Sequence, residues 1–218
     1  MSLQVQVQEL SIIAGGSTPR RVLLRDFSLD CAPGQIITLM GASGCGKSSL
    51  LAAIAGLQIA GITAQLEVSL QDQRIDHLPT SQRRIGLLFQ DDLLFAHMSV
   101  RENLLFAVPP GPQAERAAHA DAALGELGFE AMAHRSPLTL SGGQRARVSL
   151  MRTLLAKPQA LLLDEPFSKL DAALRQQFRD LVFDHARKLQ LPTLLVTHDA
   201  ADVASEADVI QFPSTTHA

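Results

Sequence analysis

Tryptophan and tyrosine are absent from all 218 residues, and nine phenylalanines supply the aromatic content. Neither a tyrosine nor a tryptophan ring is therefore available to stack on a ligand. Cysteine occurs twice. Cys31 lies in an extended segment before Pro33-Gly34, and Cys45 lies inside a glycine-rich loop that a disulfide would block, so both read as free thiols. The seven histidines show no zinc-type spacing, and no structural metal is expected. No apolar run approaches the roughly 20 residues of a spanning helix. No signal peptide is visible at Met1-Ser2-Leu3-Gln4, so a cytosolic chain is expected. A net charge of -3, without a dense Lys/Arg block, excludes nucleic acid as the main partner. No internal repeat is visible. With 46% hydrophobic and 19% charged residues, the chain can fill one core with a small lobe beside it.

What is present begins with Gly41-Ala42-Ser43-Gly44-Cys45-Gly46-Lys47-Ser48. The apolar run Ile36 to Met40 precedes it, and Leu50, Leu51, Ile54 and Leu57 follow at helical spacing. A strand leading into a glycine-rich loop and a helix leading out is the context a phosphate loop needs. The glycines permit a tight turn, the backbone N–H groups and the helix start face the anion, and Lys47 reaches the terminal phosphates. Ser48, with Ser49 beside it, is placed to ligate Mg²⁺.

A second phosphate-binding device follows in Leu140-Ser141-Gly142-Gly143-Gln144. Ser141 and Gln144 have capping-box spacing, which predicts a helix running through Arg147, Leu150 and Leu154 toward Ala156. The first turn of a helix carries unpaired N–H groups and partial positive charge, and Gly142 and Gly143 offer no Cβ to keep a phosphate away.

The run Ala160-Leu161-Leu162-Leu163-Asp164-Glu165-Pro166 reads as a strand buried on both faces and closed by two carboxylates. Open α/β sheets place ligands at that end. There Asp164 can hold Mg²⁺ through its water shell, and Glu165 can orient and polarise an attacking water. Gln90 after the strand Ile85 to Phe89, His198 after the strand Thr193 to Thr197, and Asp171 closing Ser168-Lys169-Leu170-Asp171 fall where a hydrolysis site needs them. Singly, each has a plainer reading: a solvated loop glutamine, a structural histidine, a helix N-cap.

The alternating Leu3 to Gln8, with Val22 to Leu24 and Ala64 to Leu70, predicts a small antiparallel side sheet. The segments ending at Met40, Leu163, Val196 and Gln90 predict a central parallel sheet backed by helices such as Asp171 to Leu189. Residues 91–157 read as a helical subdomain inserted in this core. It contains a helix from Ala114 to Leu127 and a break at Pro109-Pro110-Gly111-Pro112. Its apolar residues Leu93, Leu94, Phe95, Met98, Val100, Leu104 and Phe106 read mostly as core.

With these motifs in this order over essentially the whole chain, the sequence resembles the ATP-binding subunits of ABC transporters. The resemblance implies a RecA-like P-loop NTPase core with an antiparallel side sheet and a helical subdomain. It further implies ATP and Mg²⁺ as ligands and a head-to-tail dimer in which the Leu140 to Gln144 segment of one subunit closes on ATP held by the other. Within that arrangement Gln90 would contact Mg²⁺ and the water, His198 the γ-phosphate, and Asp171 the opposing subunit. The run Leu87 to Val100 followed by Asn103 is similar to bacterial importer subunits of the thiamine, polyamine and molybdate type. That implies a membrane permease docked at the groove near Gln90 to Met98, a periplasmic or extracellular solute-binding protein in the complex, and a peripheral place on the cytoplasmic face of the membrane.

The chain departs from the family at two places. Ala14, with Ile12 and Ile13 beside it, stands where an aromatic residue usually stacks on adenine, and Lys169 stands where a small residue is usual. A soluble, non-transport ATPase of the same superfamily and a phosphate-loop kinase are the alternatives. The first usually carries tandem cassettes or coiled-coil insertions, which this chain lacks, and the second has no use for the Leu140 to Gln144 segment.

Overall fold

The alternating start of the chain folds as its period dictates, with Leu3, Val5 and Val7 buried and Gln4, Gln6 and Gln8 exposed, since successive strand side chains point to opposite faces. The computed structural model describes residues 2–13 and 20–213. Its strands are β1 (Leu3–Ile12), β2 (Arg21–Cys31), β3 (Ile36–Met40), β4 (Ile62–Leu70), β5 (Gln73–Arg74), β6 (Ile85–Leu88), β7 (Ala160–Asp164), β8 (Thr193–Thr197) and β9 (Val209–Gln211). Its α-helices are α1 (Lys47–Ala55), α2 (Val100–Ala107), α3 (Gln113–Leu127), α4 (Gly142–Leu155) and α5 (Ala172–Lys188). The chain divides into two compact units. One comprises residues 1–85, 159–165 and 183–218, and the other comprises 86–158 and 166–182.

The first unit holds a sheet of order β2-β1-β4-β5, with all three pairings antiparallel. The register of β1 shifts against both neighbours over its second half. The strict alternation ends there, with Leu10 and Ser11 both buried, as expected of a bulged strand. The polar-rich β2 runs well past the expected Val22 to Leu24.

The second sheet has the order β6-β7-β8-β3-β9, and β7·β8, β3·β8 and β3·β9 are parallel. Its central strands are continuous apolar runs because both faces are covered. All of β8 and the first four residues of β3 and β7 are buried. The register sets Met40 beside Thr197 and Asp164 beside Val196. Three strands therefore end level, and the residues that follow them, Gly41, Glu165 and His198, emerge at one edge. No helix among the described residues is long and apolar enough to cross a membrane.

The second unit contains α2, α3 and α4, and the expected helical span 91–157 lies within it. Residues 166–182, including most of α5, also belong to this unit. Phe167 and Phe178 meet edge-on there, with centroids 5.8 Å apart. Two of its helices open on capping boxes. In α4 the Ser141 hydroxyl accepts from Gln144 N at 3.3 Å, while Gln144 Oε1 accepts from Ser141 N at 2.9 Å. In α2 Ser99 and Glu102 make the same reciprocal pair.

Candidate functional site

The loop after β3 is held from inside. Lys47 is only 5% exposed, and its ammonium donates to the carbonyls of Gly41 and Ala42, each at 2.8 Å. The loop thus closes around its own cation. Gly46 has φ 111° and serves as the N-cap of α1. A Cβ there would lie 2.9 Å from Leu23 Cδ1, so both backbone angle and space demand glycine. Gly44, at φ 75°, has nothing within 4 Å of a notional Cβ, which leaves its face of the loop open to an incoming anion. Cys45 is buried with its thiol 3.7 Å from Lys47 Nζ. Cys31, also free, is removed from chemistry by burial, which pushes its thiol up to about 11.

The level strand ends bring three side chains toward this loop. Ser48 Oγ donates to Asp164 Oδ1 at 2.8 Å, which joins the first turn of α1 to the end of β7. Burial pushes the Asp164 carboxyl above its ordinary value, the Ser48 hydrogen bond opposes this, and the neighbouring Glu165 charge adds to it. Glu165 adopts φ 46°, a left-handed conformation costly for a residue with a Cβ, while its N–H donates to Val196 O at 2.9 Å. The sharp turn delivers its carboxylate to His198, whose Nδ1 lies 3.0 Å from Glu165 Oε1. His198 is exposed, and its turn is pinned from behind. Thr197 Oγ1 donates to the buried Asp202 carboxylate at 2.8 Å and accepts from Asp199 N at 3.1 Å.

Gly41 to Ser49, Asp164, Glu165 and His198 thus meet in the first unit, while Gln90, Ser141 to Gln144 and Asp171 belong to the second. Gln90 is exposed. The Asp171 carboxylate accepts from Leu174 N at 3.0 Å, so it does act as an N-cap. The two glycines of α4 differ in role. Gly142 is exposed with only Arg145 Nη2 near a notional Cβ, whereas Gly143 is buried and a Cβ would press on Leu174 Cδ1 at 3.2 Å. Gly142 thus leaves its side of the helix start open, whereas Gly143 gives the close approach of Leu174 its room. Ala14 lies outside the described residues.

Lys169 ion-pairs with Asp91, a contact that ties the loop beginning at Gln90 to the one ending at Asp171. Both partners are well exposed, so the pair contributes little to stability. A thermal-denaturation double-mutant cycle on Lys169→Ala and Asp91→Ala is expected to give a coupling under about 1 kcal/mol that fades at high salt. A larger, salt-insensitive coupling would contradict this.

The run Leu93 to Phe106 departs from the expectation of a core. Val100 and Leu104 are buried, but Leu93 is 54% and Phe106 60% exposed. Asn103, fully buried, explains the shape. Its amide donates to the carbonyls of Phe95, Met98 and Ser99, and its oxygen accepts from Phe95 N. The loop is stapled with Leu93 exposed and Leu94, Phe95 and Met98 half-buried. Phe95 meets Phe106 edge-on at 4.8 Å, and the Arg152 guanidinium lies 5.3 Å from the Phe95 ring centre. From α4, Arg145 pairs with the Asp92 carboxylate, Ser149 donates to Asp92 O, and Arg152 donates to Asp92 O and Leu93 O. Sequence reasoning gave these three α4 residues no role, although their i, i+4, i+7 spacing marks one face of the helix.

Comparison with known proteins identifies the family. The profile of the family described as ABC transporter matches residues 24–168. The uncharacterized ABC transporter ATP-binding protein YnjD of Escherichia coli is 49% identical over 195 residues, covering 89% of this chain and 90% of YnjD. The sulfate/thiosulfate import ATP-binding protein CysA of Acinetobacter baylyi is 38% identical over 86% of the chain, and the maltose/maltodextrin import ATP-binding protein MalK of Yersinia pestis is 39% identical over 87%. The chain spans about half the length of these two, 54% and 51%. Among solved structures, the dimeric ABC transporter cassette MJ0796 superposes with a TM-score of 0.78 at 24% identity, covering 95% of this chain and 94% of that one. Its post-hydrolysis state with ADP and phosphate gives 0.78 at 25%, covering 97% and 95%. The kinase alternative falls with these matches, and the relatives named are transporter subunits rather than soluble ATPases. The chain belongs to the ABC transporter family, as one of its ATP-hydrolysing subunits.

Proposed function

We propose that this chain is the ATPase subunit of a bacterial importer and drives solute uptake from the cytoplasmic face of the membrane through an ATP-closed, head-to-tail dimer. The convergence of Lys47, Ser48, Asp164, Glu165 and His198 at one end of the parallel sheet carries the reading. Backbone N–H groups from Gly41 to Ser49 and the Lys47 ammonium cradle the phosphates. Glu165 orients the water that attacks the γ-phosphorus and draws off its proton, and His198, oriented by Glu165, holds the γ-phosphate. Ser48 and Asp164, a hydroxyl and a carboxylate, are the hard oxygen donors that suit Mg²⁺ and would hold it, and the side-chain oxygen of Gln90 would be a further donor. The ion would supply positive charge to offset that of the phosphates.

In the dimer, Ser141 to Gln144 meets the ATP of the opposing subunit and Asp171 meets its phosphate loop. The surface around Leu93, Phe95, Met98 and Phe106, exposed at Leu93 and Phe106, receives a segment of the membrane permease, and a periplasmic or extracellular solute-binding protein completes the complex. The run Leu87 to Val100 with Asn103 supports the thiamine, polyamine and molybdate-like branch. Relatives named for sulfate and for maltose match to similar extents, which supports the view that the permease and binding protein choose the cargo.

The test is Lys47→Ala. Loss of the cation facing the phosphates is expected to lower ATP turnover by about 10²-fold or more, both in the purified chain and in proteoliposomes bearing the complex with its genetically neighbouring permease. Wild-type turnover by the variant, or a complex whose transport is indifferent to it, would end the reading.

A further inference from the structure

Two acids follow Gln90, and they are held by different partners. Asp92 is bound to α4, its carboxylate accepting from Arg145 at 3.0 Å and its carbonyl from Ser149 at 2.8 Å, while Arg145 also donates to Leu140 O at 2.8 Å, one residue ahead of Ser141. Asp91 pairs with Lys169. On the lysine side the chain is short and rooted: Phe167 is fully buried, its carbonyl accepts from Leu170 N at 3.2 Å, and Asp171 caps α5 through Leu174 N. Lys169 lies between these two fixed points.

Two loops joined by an exposed ion pair gain little folding stability, because water solvates both charges when the pair opens. They do lose freedom. Each loop samples fewer arrangements before assembly, and order already present in the free protein need not be supplied when a partner binds. We propose, building on the reading that Gln90 serves the nucleotide of its own subunit and Asp171 meets the opposing one, that Lys169 is a positioning residue. Through Asp91 it holds these two loops in one arrangement and so favours the ATP-closed dimer. Lysine suits the task where a small residue cannot, since its flexible four-carbon stem carries the charge across to the facing loop. Each subunit of the dimer brings its own pair. One exposed pair accounts for up to about a fivefold change in an equilibrium, and two for up to about 25-fold.

The test measures the dimer Kd by sedimentation, with ATP and Mg²⁺, on the whole chain carrying Glu165→Gln, and the ATP affinity of the monomer beside it. Adding Lys169→Ala or Asp91→Ala is expected to raise the dimer Kd by about 3- to 25-fold, and the two together no further than either alone. Lys169→Arg, which keeps the charge, should stay within about twofold of the parent, and so should monomer ATP affinity in every variant. The differences should vanish at about 1 M salt, where the Debye length is about 3 Å. A change below about threefold in both alanine variants would overturn the proposal. So would a loss on Lys169→Ala that Asp91→Ala does not share, since the lysine would then act on the opposing subunit by itself. Loss of monomer ATP affinity in step with dimerisation would also overturn it, placing the defect in the fold. Failure of the Glu165→Gln parent to dimerise with ATP would instead overturn the dimer reading on which the proposal rests.

Discussion

Glu165→Gln is expected to bind ATP with Mg²⁺, to run as a dimer on gel filtration, and to turn ATP over about 10²- to 10⁴-fold more slowly than the wild type, the range assigned to a positioned proton acceptor. The amide matches the carboxylate in size, and its oxygen can still accept from His198 Nδ1 across the 3.0 Å contact. The residue keeps the same left-handed backbone, whose cost glutamine bears as glutamate does. The substitution therefore removes charge and basicity while leaving the turn after β7 in place. Retention of wild-type turnover would exclude Glu165 as the catalytic carboxylate.

Ser141→Arg should separate binding from turnover. Ser141 is exposed, so the longer side chain meets no wall in the monomer. The half of the capping box in which Gln144 Oε1 accepts from the residue 141 backbone N–H survives. Losing the Ser141 oxygen costs about 1 kcal/mol of helix stability, within what a domain tolerates. ATP affinity of the monomer is expected to stay within about threefold, equivalent to about 0.7 kcal/mol, while ATP-dependent dimerisation and hydrolysis fall to background. Ser141→Ala is the control for capping alone and should retain dimerisation. If monomer binding and turnover fall together, the defect lies in folding of α4 and not in a trans contact.

Much of this site is legible in the sequence because its parts are local. The phosphate loop, the Ser141–Gln144 box and the strand ending at Asp164-Glu165 each depend on neighbours in the chain, and period and turn chemistry report such neighbours directly. Features set by distant partners are less readable. β9 is three residues long and is a strand only because β3 offers it an edge. Gly143 resembles Gly142 in sequence and differs only through Leu174. Leu93 and Phe106 share the period of buried residues, and period cannot separate a face covered by the same chain from a face left open. The positive φ of Glu165 has no glycine to announce it. The Ser99–Glu102 box, by contrast, is local and legible from its spacing alone.

Arg145, Ser149 and Arg152 fasten the Asp92–Leu93 corner along one flank of the helix that begins at Ser141. Of the four anchoring contacts, three come from guanidinium groups, and three reach main-chain carbonyls that no side-chain substitution in the corner can delete. Asn103 of α2 holds the main chain of Phe95 and Met98 while these contacts hold Asp92 and Leu93, so a load on this surface would be shared between α2 and α4. Where α4 tilts with it, its capped end moves by an amount set by its length. A helix of fourteen residues is about 20 Å long at 1.5 Å per residue, so a tilt of about 5° shifts that end by one to two ångströms, enough to make or break a hydrogen bond.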